Sequence, residues 1–286
     1  MRVGIVSAGA MGSAVGRALR EGGAQVATTL EGRSERTARL ARDAGLECVA
    51  DLGALVSDAD VVLSIAPPGE AGAIADAVSA ATARIDARPL VADLNAISPG
   101  TARRIGSSLG EAGLDLVDGS ISGPPPRAAG TTRIYLSGAR AEEVAALPFT
   151  GVGVIVVGED VGTASAVKMC TASVYKGSVA LLTHALLTAR ANGVLDHVLD
   201  DLGELADGAA RSLARSATKS ARYVDEMHEI ATTQAAARLT PALFEAMAEV
   251  YGRLSERPLA RDAPEEVDPA VGLEDVLDRL APDRAR

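Results

Sequence analysis

Aromatic residues and lysines are scarce in this 286-residue chain, and each scarcity bounds what the protein can be. There is no tryptophan, and only two phenylalanines and four tyrosines, yet 48% of the residues are hydrophobic. The core must therefore be built from Ala, Val, Leu and Ile, small side chains that suit close helix–helix and helix–sheet packing. Two cysteines, Cys48 and Cys170, stand far apart with no ligand-like spacing, which excludes a disulfide framework and a zinc site. His184, His197 and His228 share no metal-binding spacing either, so no metal is expected. No apolar run reaches the roughly 18 residues of a membrane helix. Met1-Arg2-Val3-Gly4-Ile5-Val6 opens a strand at once, which leaves no place for a leader and predicts a cytoplasmic protein. The net charge of −10, with no accumulation of Lys and Arg on one face, argues against nucleic acid and anionic membranes as partners. The length suffices for two domains.

Of the 28 basic residues only Lys168, Lys176 and Lys219 are lysines. Arginine stays charged at any accessible pH, whereas a partly desolvated lysine amine exchanges a proton near neutrality. A chain that avoids lysine but writes Gly162-x-x-x-x-x-Lys168 into a helix points to a titratable amine there, against the plainer reading of a solvated helix face. Cys170, two residues on, reads as a small buried thiol rather than a nucleophile.

Residues 1–158 alternate short apolar runs with amphipathic helices. The runs are Arg2–Val6, Gln25–Thr29, Asp60–Ile65, Pro89–Leu94, Leu114–Ser120, Thr132–Leu136 and Val152–Val157, and several intervening helices end at glycine. This alternation predicts an α/β Rossmann domain with a doubly wound, mostly parallel sheet. The first strand enters Ser7-Ala8-Gly9-Ala10-Met11-Gly12, a G-x-G-x-x-G fingerprint whose first glycine is Ser7. Gly9 would let the backbone approach a pyrophosphate, Gly12 would let helix and strand pack closely, and Ala10 and Met11 open the anion-binding helix N-terminus. Ser7 is the dissenting residue, since serine tolerates positive φ poorly. After the second strand, Arg33 and Ser34 stand where the 2′-phosphate of NADP would lie, with Arg36 nearby, while Glu31 speaks for NAD; NADP(H) is favoured over NAD(H). Ala66 and Pro67 form a rigid lip at the sheet's carboxyl edge. Asn95 either meets the nicotinamide carboxamide or caps the turn before a helix starting near Ser98.

The segment Asp118-Gly119-Ser120-Ile121-Ser122-Gly123 resembles the substrate-binding Asp-x-x-Val-Ser-Gly segment of the β-hydroxyacid dehydrogenases, the superfamily of 3-hydroxyisobutyrate, tartronate-semialdehyde and 6-phosphogluconate dehydrogenases. Gly162-x-Ala164-x-x-x-Lys168-x-x-Thr171 resembles their catalytic Gly-x-Gly-x-x-x-Lys-x-x-Asn segment. The stretch from Lys168 to Ser178, with Glu226-Met227-His228-Glu229-Ile230-Ala231, is similar to the phosphogluconate-dehydrogenase-like branch that carries a DUF1932 C-terminal domain. The resemblance implies Lys168 as general acid/base, Ser122 and Gly123 on the substrate carboxylate, and Gly9, Met11 and Gly12 at the pyrophosphate. Two departures bear on the substrate: Thr171 replaces Asn, and the Lys-Asp pair of many members gives way to the Glu226–Glu229 stretch.

Residues 159–286 read as an all-helical substrate and dimerisation domain. From Asp160 to Arg190 there is no proline, so one helix of roughly 45 Å is predicted. Thr171 and Tyr175 share its Lys168 face as substrate contacts, Tyr175 alternatively being a core aromatic. Lys176 is turned about 80° away. A domain built around one long helix suggests a homodimer. The expected activity is an NADP-dependent oxidoreductase acting on a small hydroxy acid, or reducing the matching oxo acid. The alternatives are an imine reductase and a non-catalytic NADP-binding redox sensor.

Overall fold

The structure is a computed structural model that describes residues 1–127 and 130–281. It divides into two compact units, Met1–Met169 and Cys170–Arg286. The first unit runs β1 (Arg2–Val6), α1 (Ala10–Glu21), β2 (Gln25–Thr29), α2 (Glu35–Asp43), β3 (Glu47–Val49), α3 (Leu52–Ser57), β4 (Val61–Ser64), α4 (Ala71–Ile85), β5 (Leu90–Asp93), α5 (Pro99–Glu111), β6 (Leu116–Ser122), β7 (Thr132–Ser137), α6 (Ala141–Ala145) and β8 (Val152–Gly158). The helix α7 (Thr163–Ala191) begins in this unit and continues into the second.

The strands form one sheet in the order β3-β2-β1-β4-β5-β6-β7-β8, and every pairing is parallel except β6 with β7. The order reverses between β1 and β4, which opens the crevice where ligands of doubly wound sheets sit. Alternation along the strands supplies both faces. Val3, Ile5, Leu63 and Ala92 join α1 and α6 in one core, whereas Val6, Val62 and Val91 join α3, α4 and α5 in the other. The central strands β1, β4 and β5 are buried on both faces and so read as short continuous apolar runs.

Helix starts follow local chemistry. Ser34 caps α2 by accepting from the Thr37 N–H, Asp51 caps α3 through Ala54, and Ser98 caps α5 ahead of Pro99. The short β3 has no apolar run to announce it. It forms because the outer edge of β2 offers unpaired backbone groups, and Ala27 to Thr29 pair with Glu47 to Val49.

The second unit is helical among its described residues. The rest of α7 is followed by α8 (Leu195–Leu202), α9 (Ala209–Ala217), α10 (Ser220–Ala236), α11 (Ala242–Ser255) and α12 (Leu273–Leu280). Its core draws on Leu213, Met227, Ile230, Phe244, Tyr251 and Val276, all buried. Arg190, in the last turn of α7, pairs with Glu274 and Asp278 of α12.

Candidate active site

The turn after β1 places Ser7 at φ 70°, so a residue with a side chain occupies the left-handed position where the fingerprint usually has glycine. That conformation costs about 1 kcal/mol or more for a residue with a Cβ. Gly9 precedes α1 with no side-chain cap, and a Cβ built on it would meet nothing within 4 Å. A Cβ on Gly12 would instead run into the backbone oxygen of Ser7. Gly12 thus keeps helix and strand close, and Gly9 keeps space open above a helix N-terminus whose first N–H groups have no intrahelical partner. Space and donors together fit a dinucleotide pyrophosphate. Met11 packs against the adjoining core, so the turn would contribute there through backbone rather than side chain.

At the end of β2, Glu31 is exposed and Arg33 is half-buried, its guanidinium 3.6 Å from Glu70. Glu70 lies on the 3-10 turn Pro68–Glu70 that follows the Ala66–Pro67 lip. Arg33 and Glu70 therefore link the loop after β2 to the loop after β4. Ser34 is engaged in capping α2 and in a 3.2 Å hydrogen bond with the Thr37 hydroxyl.

Asn95 is engaged within the protein. Its side chain is buried, and its amide is committed within the protein: Nδ2 donates to Ser64 Oγ and to Asp93 Oδ2, each at 2.8 Å, while Oδ1 accepts from the Ala66 N–H at 2.6 Å. Both Nδ2 hydrogens are thereby used, and only the second lone pair of the buried Oδ1 is left for a nicotinamide carboxamide. Asn95 fixes the height of the lip, and its own N–H donates to Asp93 Oδ1 at 2.9 Å. Burial pushes the Asp93 carboxyl up to about 7 against the opposing hydrogen bonds from Asn95 and Ser64, with the neighbouring charge of Asp118 adding to the rise. The two aspartates are register partners on β5 and β6.

Asp118, fully buried, joins the sheet to the start of α7. Its Oδ2 accepts from the N–H groups of Gly162 at 2.9 Å and Ser165 at 3.0 Å and from Ser137 Oγ at 3.0 Å. Its Oδ1 accepts from Ser165 Oγ at 2.5 Å. A carboxylate under a helix N-terminus is favourably placed by charge as well as by hydrogen bonding. Ser120 Oγ adds a bond to the Ala164 carbonyl at 2.9 Å. Its four hydrogen bonds make Asp118 the anchor of the helix that carries Lys168.

Lys168 Nζ donates to the carbonyl of Ile121 at 2.6 Å. That carbonyl immediately precedes Ser122 and Gly123 at the carboxyl end of β6. Gly123 has φ 102°, and a Cβ there would overlap the Thr131 carbonyl oxygen, so the position demands glycine. The structure thus brings Lys168 to the Ser122-Gly123 edge. β1, β2, β4, β5 and β6 are parallel, so Ser7–Gly12, Arg33–Ser34, Ala66–Pro67, Asn95 and Ser122–Gly123 all follow strand ends on the same side of the sheet.

Thr171 and Tyr175 belong to the second unit. Thr171 is half-buried, whereas Tyr175 is 72% exposed, which removes the core-aromatic reading. Cys170 is also exposed and is not a core filler. Lys176, expected to be peripheral, forms a buried ion pair with Glu226, whose other oxygen accepts from Arg222 at 3.1 Å. Its Nζ lies 4.4 Å from the centre of the Tyr223 ring, and the Tyr251 hydroxyl donates to the Lys176 carbonyl at 2.7 Å. Lys176 and Glu226 lie in the two stretches that resemble the DUF1932 branch, but that resemblance does not pair them, and they stand fifty residues apart in sequence. Among the described residues no group of three His, Cys, Asp or Glu side chains could hold a metal, and no helix is long and apolar enough to cross a membrane.

Comparison with known proteins places both parts of the chain among known domains. Residues 2–149 match the NAD binding domain of 6-phosphogluconate dehydrogenase, and residues 189–254 match DUF1932, a domain of unknown function. A conserved protein of unknown function, whose solved structure is described as similar to 3-hydroxyacid dehydrogenases, is 31% identical; the match covers 90% of this chain and 97% of that one, with a TM-score of 0.65. An uncharacterized 28.5 kDa protein of Methanothermus fervidus is 26% identical over 90% of this chain and the whole of its own length. The Mycobacterium tuberculosis 3-hydroxyisobutyrate dehydrogenase shares the fold at 21% identity, covering 99% of each chain with a TM-score of 0.69.

Proposed function

The chain belongs to the β-hydroxyacid dehydrogenase superfamily, in the branch joining a 6-phosphogluconate-dehydrogenase-type NAD binding domain to DUF1932, and from that premise we propose an NADP-dependent oxidoreductase of a small hydroxy acid, or of the matching oxo acid. The observation that carries this reading is the 2.6 Å bond from Lys168 Nζ to the Ile121 carbonyl, beside Ser122 and Gly123. In it, residues 1–158 hold the cofactor and residues 159–286 serve substrate binding and dimerisation.

Lys168 takes the substrate hydroxyl proton in oxidation and returns it in reduction, with the Ile121 carbonyl orienting the amine. Ser122 Oγ and the backbone at Gly123 hold the carboxylate and so fix the reacting carbon. Bound nicotinamide supplies or accepts the hydride. The open space at Gly9 and the N–H groups of Ala10, Met11 and Gly12 would hold the pyrophosphate, and Arg33, with Ser34, would hold a 2′-phosphate. Asn95 serves as a positioning residue for the lip. On α7, Val174, Tyr175 and Leu181 are 65%, 72% and 67% exposed, an apolar surface that supports a homodimer.

The test is nicotinamide absorbance over a panel of hydroxy acids, oxo acids and cyclic imines. Lys168→Ala is expected to lower kcat about 10²–10⁴-fold, the usual worth of a general acid/base, with NADPH binding retained. Equal loss of turnover and cofactor binding would overturn the role of Lys168. Turnover of imines alone would move the protein to imine reduction, and cofactor binding without turnover of any compound would favour a redox sensor.

A further inference from the structure

The second unit holds a basic depression that the dehydrogenase reading leaves unused. Its lining follows one stripe of the α9–α10 run, at three- and four-residue intervals: Gly208, Arg211 with Ser212, Arg215 with Ser216, Lys219 and Tyr223. These residues line an open depression of about 350 Å³. Gly208, at φ 68°, starts α9 without a side-chain cap, so the first N–H groups of that helix point to the same end. Tyr223 is buried beneath the stripe, its ring edge-on to Tyr251 at 5.2 Å.

The basic charges here outnumber the one carboxylate, Glu265, that opposes them at Lys219. The neighbouring Arg222 is paired with Glu226, but no hydrogen bond or ion pair engages the side chains of Arg211, Arg215 or Lys219 among the described residues. Burial pushes the Lys219 amine down to about 8, and the charges of Arg222 and Arg215 push the same way, opposed by Glu265. In a chain with three lysines and a net charge of −10, one lysine thus stands in a partly desolvated site between like charges. Such a grouping is relieved by a bound anion, which would gain two guanidinium donors, an ammonium and two serine hydroxyls.

We propose that this pocket binds a phosphate-type oxyanion through Arg211, Arg215 and Lys219, with Ser212 and Ser216 completing the cradle. The volume exceeds that of a lone phosphate and leaves space for a small organic body. The proposal is independent of the cofactor assignment.

The experiment is calorimetric titration of the full-length protein with inorganic phosphate, at an ionic strength held constant with sodium chloride. The Arg211→Gln/Arg215→Gln variant is expected to weaken binding about tenfold or more, the loss of charge-assisted contacts. Arg33→Gln, at the other anion-binding loop, is expected to leave it unchanged. Lys219→Met gives a single-site loss should the double variant fail to show a native circular-dichroism spectrum. Binding that persists in the double variant and in Lys219→Met, or that Arg33→Gln abolishes, would overturn the proposal, as would heat no greater than that of chloride alone. Glycerol 3-phosphate distinguishes the sources. Tighter binding than phosphate indicates a phosphorylated metabolite, and equal binding indicates the free ion.

Discussion

Removing the Asp118 carboxylate should separate two contributions to the start of α7. In Asp118→Ala the N–H groups of Gly162 and Ser165 lose their acceptor while still buried, as does the Ser137 hydroxyl. Each buried donor left without a partner costs about 1–3 kcal/mol, so a loss of about 3–5 kcal/mol is expected once partial relaxation is allowed. Asp118→Asn keeps the shape. Its oxygen can take the three bonds that Oδ2 accepts, and its amide can donate to Ser165 Oγ, which only needs to turn. That variant loses the charge at the helix N-terminus and the charge-assisted strength, a cost of about 1–2 kcal/mol. Against a total stability of about 5–15 kcal/mol, the alanine variant is expected near the edge of folding and the asparagine variant well inside it. Urea denaturation followed by circular dichroism measures both, with the slope m compared to wild type. The reasoning fails if alanine costs under about 1 kcal/mol, or if asparagine costs as much as alanine.

Gly12→Ala is expected to destabilise the first unit by about 1–3 kcal/mol, because the new methyl meets the Ser7 carbonyl oxygen, and to weaken NADPH binding in parallel; a melting temperature and cofactor affinity equal to wild type would refute this. Asp93 keeps its proton to about 7 in the folded chain but would release it near 3.8 when unfolded, so the folded state binds more protons in between. Its contribution to stability therefore falls as pH rises from about 4 to about 7, by about 4 kcal/mol at most, and denaturation across that window should show a decline that Asp93→Asn flattens. Glu226→Gln leaves the Lys176 ammonium buried without its counter-charge and is expected to cost about 3–5 kcal/mol, whereas replacing the pair together by Met and Leu should cost far less. A single replacement no more harmful than the double one would show that the pair is not coupled.

The alternation of apolar runs with glycine-ended helices carried the sheet into view, because the central strands β1, β4 and β5 are covered on both faces and so read as short apolar runs. What escaped has identifiable causes. β3 spans Glu47–Val49 and owes its pairing to an open neighbour edge rather than to its own composition. Ser7 adopts the conformation that its residue type disfavours, since Gly12 brings the helix too close for another path. Asn95 offered two readings in sequence, a nicotinamide contact and a turn cap, and its bonds to Ser64, Asp93 and Ala66 are a third arrangement that only the proximity of β4 and β5 creates. Tyr175 and Cys170 show the reverse difficulty: a helical repeat gives the face a residue occupies but not what covers that face. Lys168 stands out in the sequence because its rarity and its place after the sheet coincide, and its position beside the Ile121 carbonyl follows from Asp118 fixing the helix.

The same carboxylate limits how the protein could be taken apart. A chain cut at residue 158, the boundary that strand content alone recommends, would lose Gly162 and Ser165 and strand a buried charge under the sheet with Ser137 alone to answer it. The opening of α7 is in this sense part of the nucleotide-binding half, and exchange of C-terminal halves between relatives would succeed only at a joint placed beyond it. A protein assembled from two modules has its seam inside a continuous helix, one residue past the lysine on which the proposed chemistry depends.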